Sequence, residues 1–220
     1  MSSQQRVRRL LMASSFWLVV LGIAPATAEE ISDWPCDAPL TERFDPVQVW
    51  GSALPRPPTG GWRQDAAVRD VVEFAANPEN PPGEGAKQIT AFAGSLGTER
   101  EERLMMVFAG LLDQFNLLRG FAIEGVRDFV LRAKILREAI DRNEAAVAAL
   151  PAEAREEQRR GYLEARSWDA RRMDDAIEEA EFLCRRYGYL DKKLRELTAG
   201  IRAALDQTAG RAPRGHNRGG

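Results

Sequence analysis

The sequence predicts an all-α protein: a long antiparallel helical hairpin, coiled-coil-like, with two shorter helices packed on it and an irregular Trp- and Pro-rich N-terminal arm. Apolar residues recur at steps of three and four along two segments of roughly 50 residues, which is the spacing of one helix face. Pro151 separates the two segments, so the second is expected to fold back on the first. No part of the chain is predicted to be a strand.

Residues 1–28 have the composition of an export signal. A basic start is followed by an apolar run from Leu10 to Ile23 and by the small-x-small sequence Ala26-Thr27-Ala28. We expect cleavage near Ala28 and a periplasmic mature protein that begins near Glu29. Because the apolar run is shorter than the ~20 residues of a membrane-spanning helix, no membrane span is expected after cleavage.

The composition indicates one acidic globular domain. The full chain has 44% hydrophobic and 29% charged residues and a formal net charge of −2. Loss of Arg6, Arg8 and Arg9 with the signal would change that net charge to −5. An acidic chain without a basic stripe is not expected to bind nucleic acid, because that binding depends on neutralising phosphates.

Cys36 and Cys184 are the only cysteines of the chain. In an oxidising compartment two cysteines most simply form one disulfide, which here would join the N-terminal arm to a helix near the other end of the chain. The alternative is a redox-active or metal-binding pair. It has little support, because the sequence contains no Cys-x-x-Cys and no histidine beside either cysteine.

Residues 29–64 form the predicted arm. Six prolines and the pair Gly60-Gly61 exclude a long helix or a central strand, so the segment should be extended or turning. It contains Trp34, Trp50 and Trp62, and large aromatic side chains in an irregular segment usually pack on a folded body. We therefore expect the arm to wrap the helical domain. The alternative is that these rings line a groove for a ligand or a partner.

Residues 65–208 are predicted to form the helical domain, with helices at about 65–77, 84–96, 98–149 and 152–207, followed by a disordered tail at 209–220. The sequence from Thr98 to Glu101 fits a capping box at the start of the third helix. Gly120 and Gly125 in that helix indicate a close helix crossing or a kink. Gly188 leaves open whether the last helix is bent or broken.

The third predicted helix changes character along its length. A second apolar row widens its seam in the first half, while only a narrow apolar stripe continues beyond Leu136. The first half is therefore expected to be surrounded by other helices, and the second half to touch only one.

The sequence offers little for catalysis. Its single histidine, His216, lies in the predicted tail, so a His-based triad, a multi-histidine zinc site and a Glu-x-x-His di-iron site are not expected. The acidic run from Asp174 to Glu181 lies among arginines and is expected to form surface ion pairs. Arg119 would either pair with a carboxylate and fix helix register or, if unpaired, bind an anionic ligand. We expect no enzyme activity, no cofactor and no metal site.

Three features resemble a family of exported, all-helical proteins of alphaproteobacteria. They are the segment Asp33-Trp34-Pro35-Cys36 after the signal, the block from Leu104 to Gly125, and Trp168-Asp169 ahead of Cys184. The resemblance covers most of the mature chain. It implies a periplasmic location and pairing of the two cysteines, and it brings no activity and no catalytic residue with it.

The sequence thus favours a non-catalytic periplasmic protein with an interaction, scaffold or chaperone-like role, which binds a protein partner or a second copy of itself. The partner surface is predicted on the seam of the hairpin, at Leu136, Ile140, Val147, Leu194 and Leu197. The alternative function is a small-ligand binding module. Its pocket would be lined by Trp50, Trp62, Phe108, Phe115 and Phe121.

Overall fold

The computed structural model describes residues 32–56 and 61–209. The predicted signal peptide at 1–28 and residues 210–220 of the predicted tail lie outside the described residues. All regular secondary structure in the described part is α-helical, which confirms the predicted all-α class.

The described chain forms five helices: α1 (Pro46–Trp50), α2 (Ala66–Ala76), α3 (Pro82–Ser95), α4 (Arg100–Ala148) and α5 (Glu156–Ala209). The last four correspond to the four predicted helices. The short α1 lies inside the predicted irregular arm. It begins where the Asp45 carboxylate accepts a hydrogen bond from the amide of Gln48 at 2.9 Å, and Pro46 takes the first helical position, where a missing N–H costs nothing.

The two long helices lie side by side as an antiparallel hairpin. They contain 49 and 54 residues, which corresponds to lengths of roughly 75–80 Å. α5 runs without interruption through Gly188. In the part of the hairpin nearest its turn, the two helices pack on each other through Ala133, Leu136 and Ile140 of α4 and Met173 and Ala176 of α5.

The other half of the hairpin carries the main core. Here α2 packs on α4 and α3 packs on α5, and buried side chains of the arm, including Trp50 and Trp62, join the same apolar cluster. This distribution agrees with the predicted difference between the two halves of α4. The arm is pinned to the helical body by its tryptophans, as the sequence predicts.

Two predicted helix starts are wrong. α4 begins at Arg100, and its cap residue Glu99 makes no side-chain hydrogen bond, so the Thr98–Glu101 capping box does not form. After α4, Pro151 opens a turn in which its carbonyl accepts from the amide of Ala154 at 3.0 Å, and α5 begins only at Glu156.

Among the described helices, α4 has the length and apolar composition that a membrane span requires. Half of its most apolar window is buried against the rest of the protein. The helical core therefore accounts for much of this apolar character.

Candidate functional site

The predicted partner surface is wrong, because the structure buries most of it inside the hairpin. Leu136 and Ile140 are 6% and 5% exposed, and Leu194 and Leu197 are fully buried. Val147 is half-buried near the turn. In an antiparallel hairpin the apolar seam of each long helix is covered by the other helix or by α2 and α3, so it is not available to a partner.

The predicted aromatic pocket is also wrong. Trp50 and Phe108 pack edge to face with their ring centroids 4.9 Å apart, and Trp62 and Phe115 are buried in the same core. These rings fill the apolar core and do not line a pocket. Phe121 is 61% exposed and lies away from them. Of the five, only Trp50 borders a described cleft, an open one of about 500 Å³ beside Arg202.

The predicted disulfide is confirmed. Cys36 and Cys184 are bonded, with their Cα atoms 5.1 Å apart, so the start of the described arm is covalently attached to the middle of α5. The attachment is reinforced by Trp34, whose ring packs edge to face on Tyr187 at a centroid distance of 5.2 Å. The indole N–H of Trp34 donates to the carbonyl of Ala38 at 2.9 Å, which fixes the turn after the cysteine.

Tyr187 organises the arm beyond the disulfide. Its ring is buried, and its hydroxyl donates to the carbonyl of Pro39 at 2.9 Å while it accepts from the amide of Thr41 at 2.9 Å. Farther along the arm, the amide of Phe44 donates to the side-chain oxygen of Asn116 at 2.8 Å. The sequence did not indicate these roles, because they depend on residues at least 70 positions apart.

Arg119 lies at the centre of this arrangement and is only 5% exposed. Its Nε donates to the carbonyl of Thr41 at 2.6 Å, and its Nη2 donates to the Tyr187 hydroxyl. The guanidinium stacks between the rings of Phe44 and Tyr187, at 4.2 and 4.3 Å from their centroids. All these partners are uncharged. The expected pairing of Arg119 with a carboxylate does not occur among the residues that the structure describes.

Arg119 borders a cleft of about 1000 Å³ between the arm and α5. The arm side includes Pro35, Asp37 and Pro39, and the α5 side includes Tyr189 and Lys192. Two further pairs at the cleft are already engaged: Arg185 with Glu181 at 3.9 Å, and Arg195 with Asp191 at 2.8 Å. The hydrogen bond that Arg195 donates to Asp191 raises the pKa of Arg195, so this guanidinium stays protonated and paired.

A separate feature is an apolar stripe on the outer face of α4. It consists of Leu117, Phe121, Leu131 and Ile135, which are between 53% and 61% exposed. We call these four residues the outer stripe. Their steps of four, ten and four place them on one side of the helix, away from the hairpin seam. Glu124 and Asp128 lie between the two apolar pairs on the same side and are exposed.

Neither metal ligands nor relatives add to this picture. Within residues 32–56 and 61–209, no group of three or more histidine, cysteine or carboxylate side chains is placed to hold a metal ion. Comparison with protein-family models, curated proteins and solved structures finds no match. The resemblance to exported alphaproteobacterial proteins therefore stays a prediction.

Proposed function

We propose that this chain is a non-catalytic interaction protein of the periplasm, and that it associates with a second copy of itself through the outer stripe of α4. The observation that carries the proposal is four large apolar side chains, each more than half exposed, along one face of a long helix. Large apolar side chains that are exposed together on one helix face are typical of a protein–protein contact. The Cys36–Cys184 disulfide supports an oxidising location.

The spacing of the outer stripe favours self-association over another partner. Leu117 and Ile135 are equally far from residue 126, and so are Phe121 and Leu131. If two α4 helices cross antiparallel at residue 126, Leu117 of each copy faces Ile135 of the other, and Phe121 faces Leu131. A twofold-symmetric interface requires this kind of self-complementary surface.

The charges at the middle of the stripe set the strength of the contact. Glu124 of one copy lies near Asp128 of the other, and these like charges weaken the association. Arg127 is exposed within about one helical turn of both carboxylates, and Arg132 is exposed about one turn beyond Asp128, so the two arginines can balance the acidic charges across the axis. We expect a concentration-dependent dimer, and the apolar pairs on either side of the acidic centre provide its affinity.

The test is analytical ultracentrifugation of the processed protein over a range of concentrations. Leu117→Lys and Ile135→Glu should each raise the dimer dissociation constant at least tenfold, about 1.4 kcal/mol, because each places a charge opposite an apolar side chain. The double variant should recover part of the affinity, since the two introduced charges have opposite signs and meet across the axis.

Leu163→Glu is the matched control. Leu163 is 45% exposed on α5, close to the turn of the hairpin and outside the outer stripe, so its change should leave the dissociation constant unaltered. Circular dichroism should show the same helicity for every variant. A protein that stays monomeric at all concentrations, or a dimer that is indifferent to both single changes, would overturn the proposal.

A further inference from the structure

We propose that the cleft between the arm and α5 binds a small organic carboxylate, and that Arg119 supplies the positive charge that receives it. This site is about 1000 Å³ in volume and is separate from the outer stripe. The inference goes beyond self-association, and either proposal can fail without the other.

The first support is the electrostatic situation of Arg119. A guanidinium always carries its charge in proteins, and here it is 95% buried with only carbonyl, hydroxyl and ring partners among the described residues. Uncharged partners orient the group without neutralising it. A buried charge is most stable when an opposite charge reaches it, and the cleft is the route by which a mobile anion can do so.

The second support is the part of the guanidinium that stays available. Nε and one N–H of Nη2 are used by Thr41 and Tyr187, and Nη1 makes no hydrogen bond with any residue that the structure describes. Two parallel N–H groups, one on Nη1 and one on Nη2, therefore remain. That edge matches the two oxygens of a carboxylate.

The rest of the cleft favours a singly charged organic ligand over inorganic phosphate. Lys192 at its rim is exposed and unpaired among the described residues, while Glu181 and Asp191 are already paired with arginines. Asp37 adds a negative charge that has no ion-pair partner among the described residues, and it would repel a dianion more strongly than a monoanion. Pro35, Pro39 and Tyr189 provide apolar wall for the organic part of a ligand.

The test is a titration of the full disulfide-bonded protein with benzoate, and separately with its uncharged isostere benzamide. Binding is monitored by nuclear magnetic resonance. Benzoate should shift the resonances of Ala38, Tyr189 and the Nε–H of Arg119 saturably. Benzamide should bind at least tenfold more weakly, because it lacks the charge that Arg119 requires. Inorganic phosphate as a third probe separates an organic carboxylate site from a general anion site.

Two variants and one control locate the binding. Arg119→Gln should abolish the benzoate shifts, and Lys192→Gln should weaken binding several-fold without affecting the fold. Arg186→Gln is the control. Arg186 lies on α5 like Lys192 and is exposed, but it does not border the cleft. If Arg119→Gln fails to fold, the comparison of benzoate with benzamide and the effect of Lys192→Gln still test whether the cleft binds a carboxylate.

Three results would overturn the inference. They are the absence of saturable shifts with benzoate, equal binding of benzoate and benzamide, and equal effects of Lys192→Gln and Arg186→Gln. Tighter binding of phosphate than of benzoate would also refute the assigned ligand class.

Discussion

Asp65 has two functions at the start of α2. One carboxylate oxygen accepts from the amide of Val68 at 3.1 Å and so caps the helix, and both oxygens accept from Arg103 of α4, at 2.6 and 2.8 Å. Both side chains are less than a quarter exposed, so the ion pair is only partly screened by water. The hydrogen bonds from Arg103 lower the pKa of Asp65.

Asp65→Asn should lower the free energy of unfolding at pH 7 by about 1–2 kcal/mol, because it keeps the cap oxygen and removes the charge that Arg103 pairs with. The pKa of Asp65 in the folded protein lies below the unfolded value of about 3.9. The stabilisation that the charged Asp65 adds to the free energy of unfolding is therefore complete above pH ~3.9 and is lost as the pH falls through the folded pKa. Urea unfolding at pH 7 and at low pH measures the difference.

The matched control for Asp65 is Asp70→Asn on the same helix. The side chain of Asp70 is 71% exposed and lies 3.8 Å from Arg69, so its loss should change stability by less than about 0.5 kcal/mol at either pH. Equal effects of the two changes would show that the Asp65–Arg103 pair adds nothing beyond surface charge.

Several buried polar residues could not be recognised from the sequence. Lys193 falls within a charged stretch of α5, yet it is 1% exposed and its ammonium donates to the carbonyls of Asn77 and Asn80 at 2.5 and 2.7 Å. Burial lowers its pKa. These carbonyls lie in the link that follows α2, more than 110 residues away, and no local pattern encodes that contact.

At the scale of helices, close approach depends on small residues at particular positions. A Cβ atom on Gly125 would lie 2.6 Å from a methyl carbon of Leu183, so the predicted crossing at this residue is confirmed. A Cβ atom on Gly120 would meet nothing within 4 Å, so a close crossing does not occur at that residue. Gly110 permits a contact that the sequence did not reveal, since a Cβ there would lie 2.7 Å from Val72 and 2.9 Å from Trp62.

Gly110→Ala and Gly120→Ala should therefore change stability in opposite directions. The first should lower the free energy of unfolding by about 1–3 kcal/mol, because the added methyl group displaces Val72 and the Trp62 ring. The second should raise it by up to about 1 kcal/mol, because alanine favours a helix and meets no neighbour. Urea midpoints measure both. A stabilised Gly110→Ala protein would contradict the close packing of α2 on α4.

The long helices could be predicted because their apolar spacing persists over many turns. The short α1 was missed, although Asp45 followed by Pro46 is a recognisable helix start. The functional faces were harder to predict. Leu136 and Ile140 belong to a seam that the chain covers itself, whereas Leu117 and Ile135 lie outside it, and only the packing of α4 against α5 distinguishes the two sets.

At the scale of the whole molecule, the disulfide joins residues that are 148 positions apart. A cross-link around so long a loop restricts the unfolded chain strongly and is worth about 5 kcal/mol in the chain-entropy model. The sequence predicted this pairing from the number of cysteines and the expected compartment. It did not predict that Tyr187, three residues after Cys184, would fix the arm beside Arg119.

Replacing both cysteines by serine should lower the free energy of unfolding by several kcal/mol, up to about 5, while leaving the helical content unchanged, since the main core does not include the disulfide. Urea unfolding of the oxidised protein, the reduced protein and the double variant gives the comparison. The same urea midpoint with and without a reductant would contradict a stabilising role for this bond.

The position of this bond also constrains the order in which the molecule matures. The bridge can form only after synthesis has passed Cys184, which lies 148 residues beyond Cys36. Until then the thiol of Cys36 has no partner within the chain. Closing of the ring, and with it the final placement of the segment around Thr41, is therefore a late event in the life of each molecule.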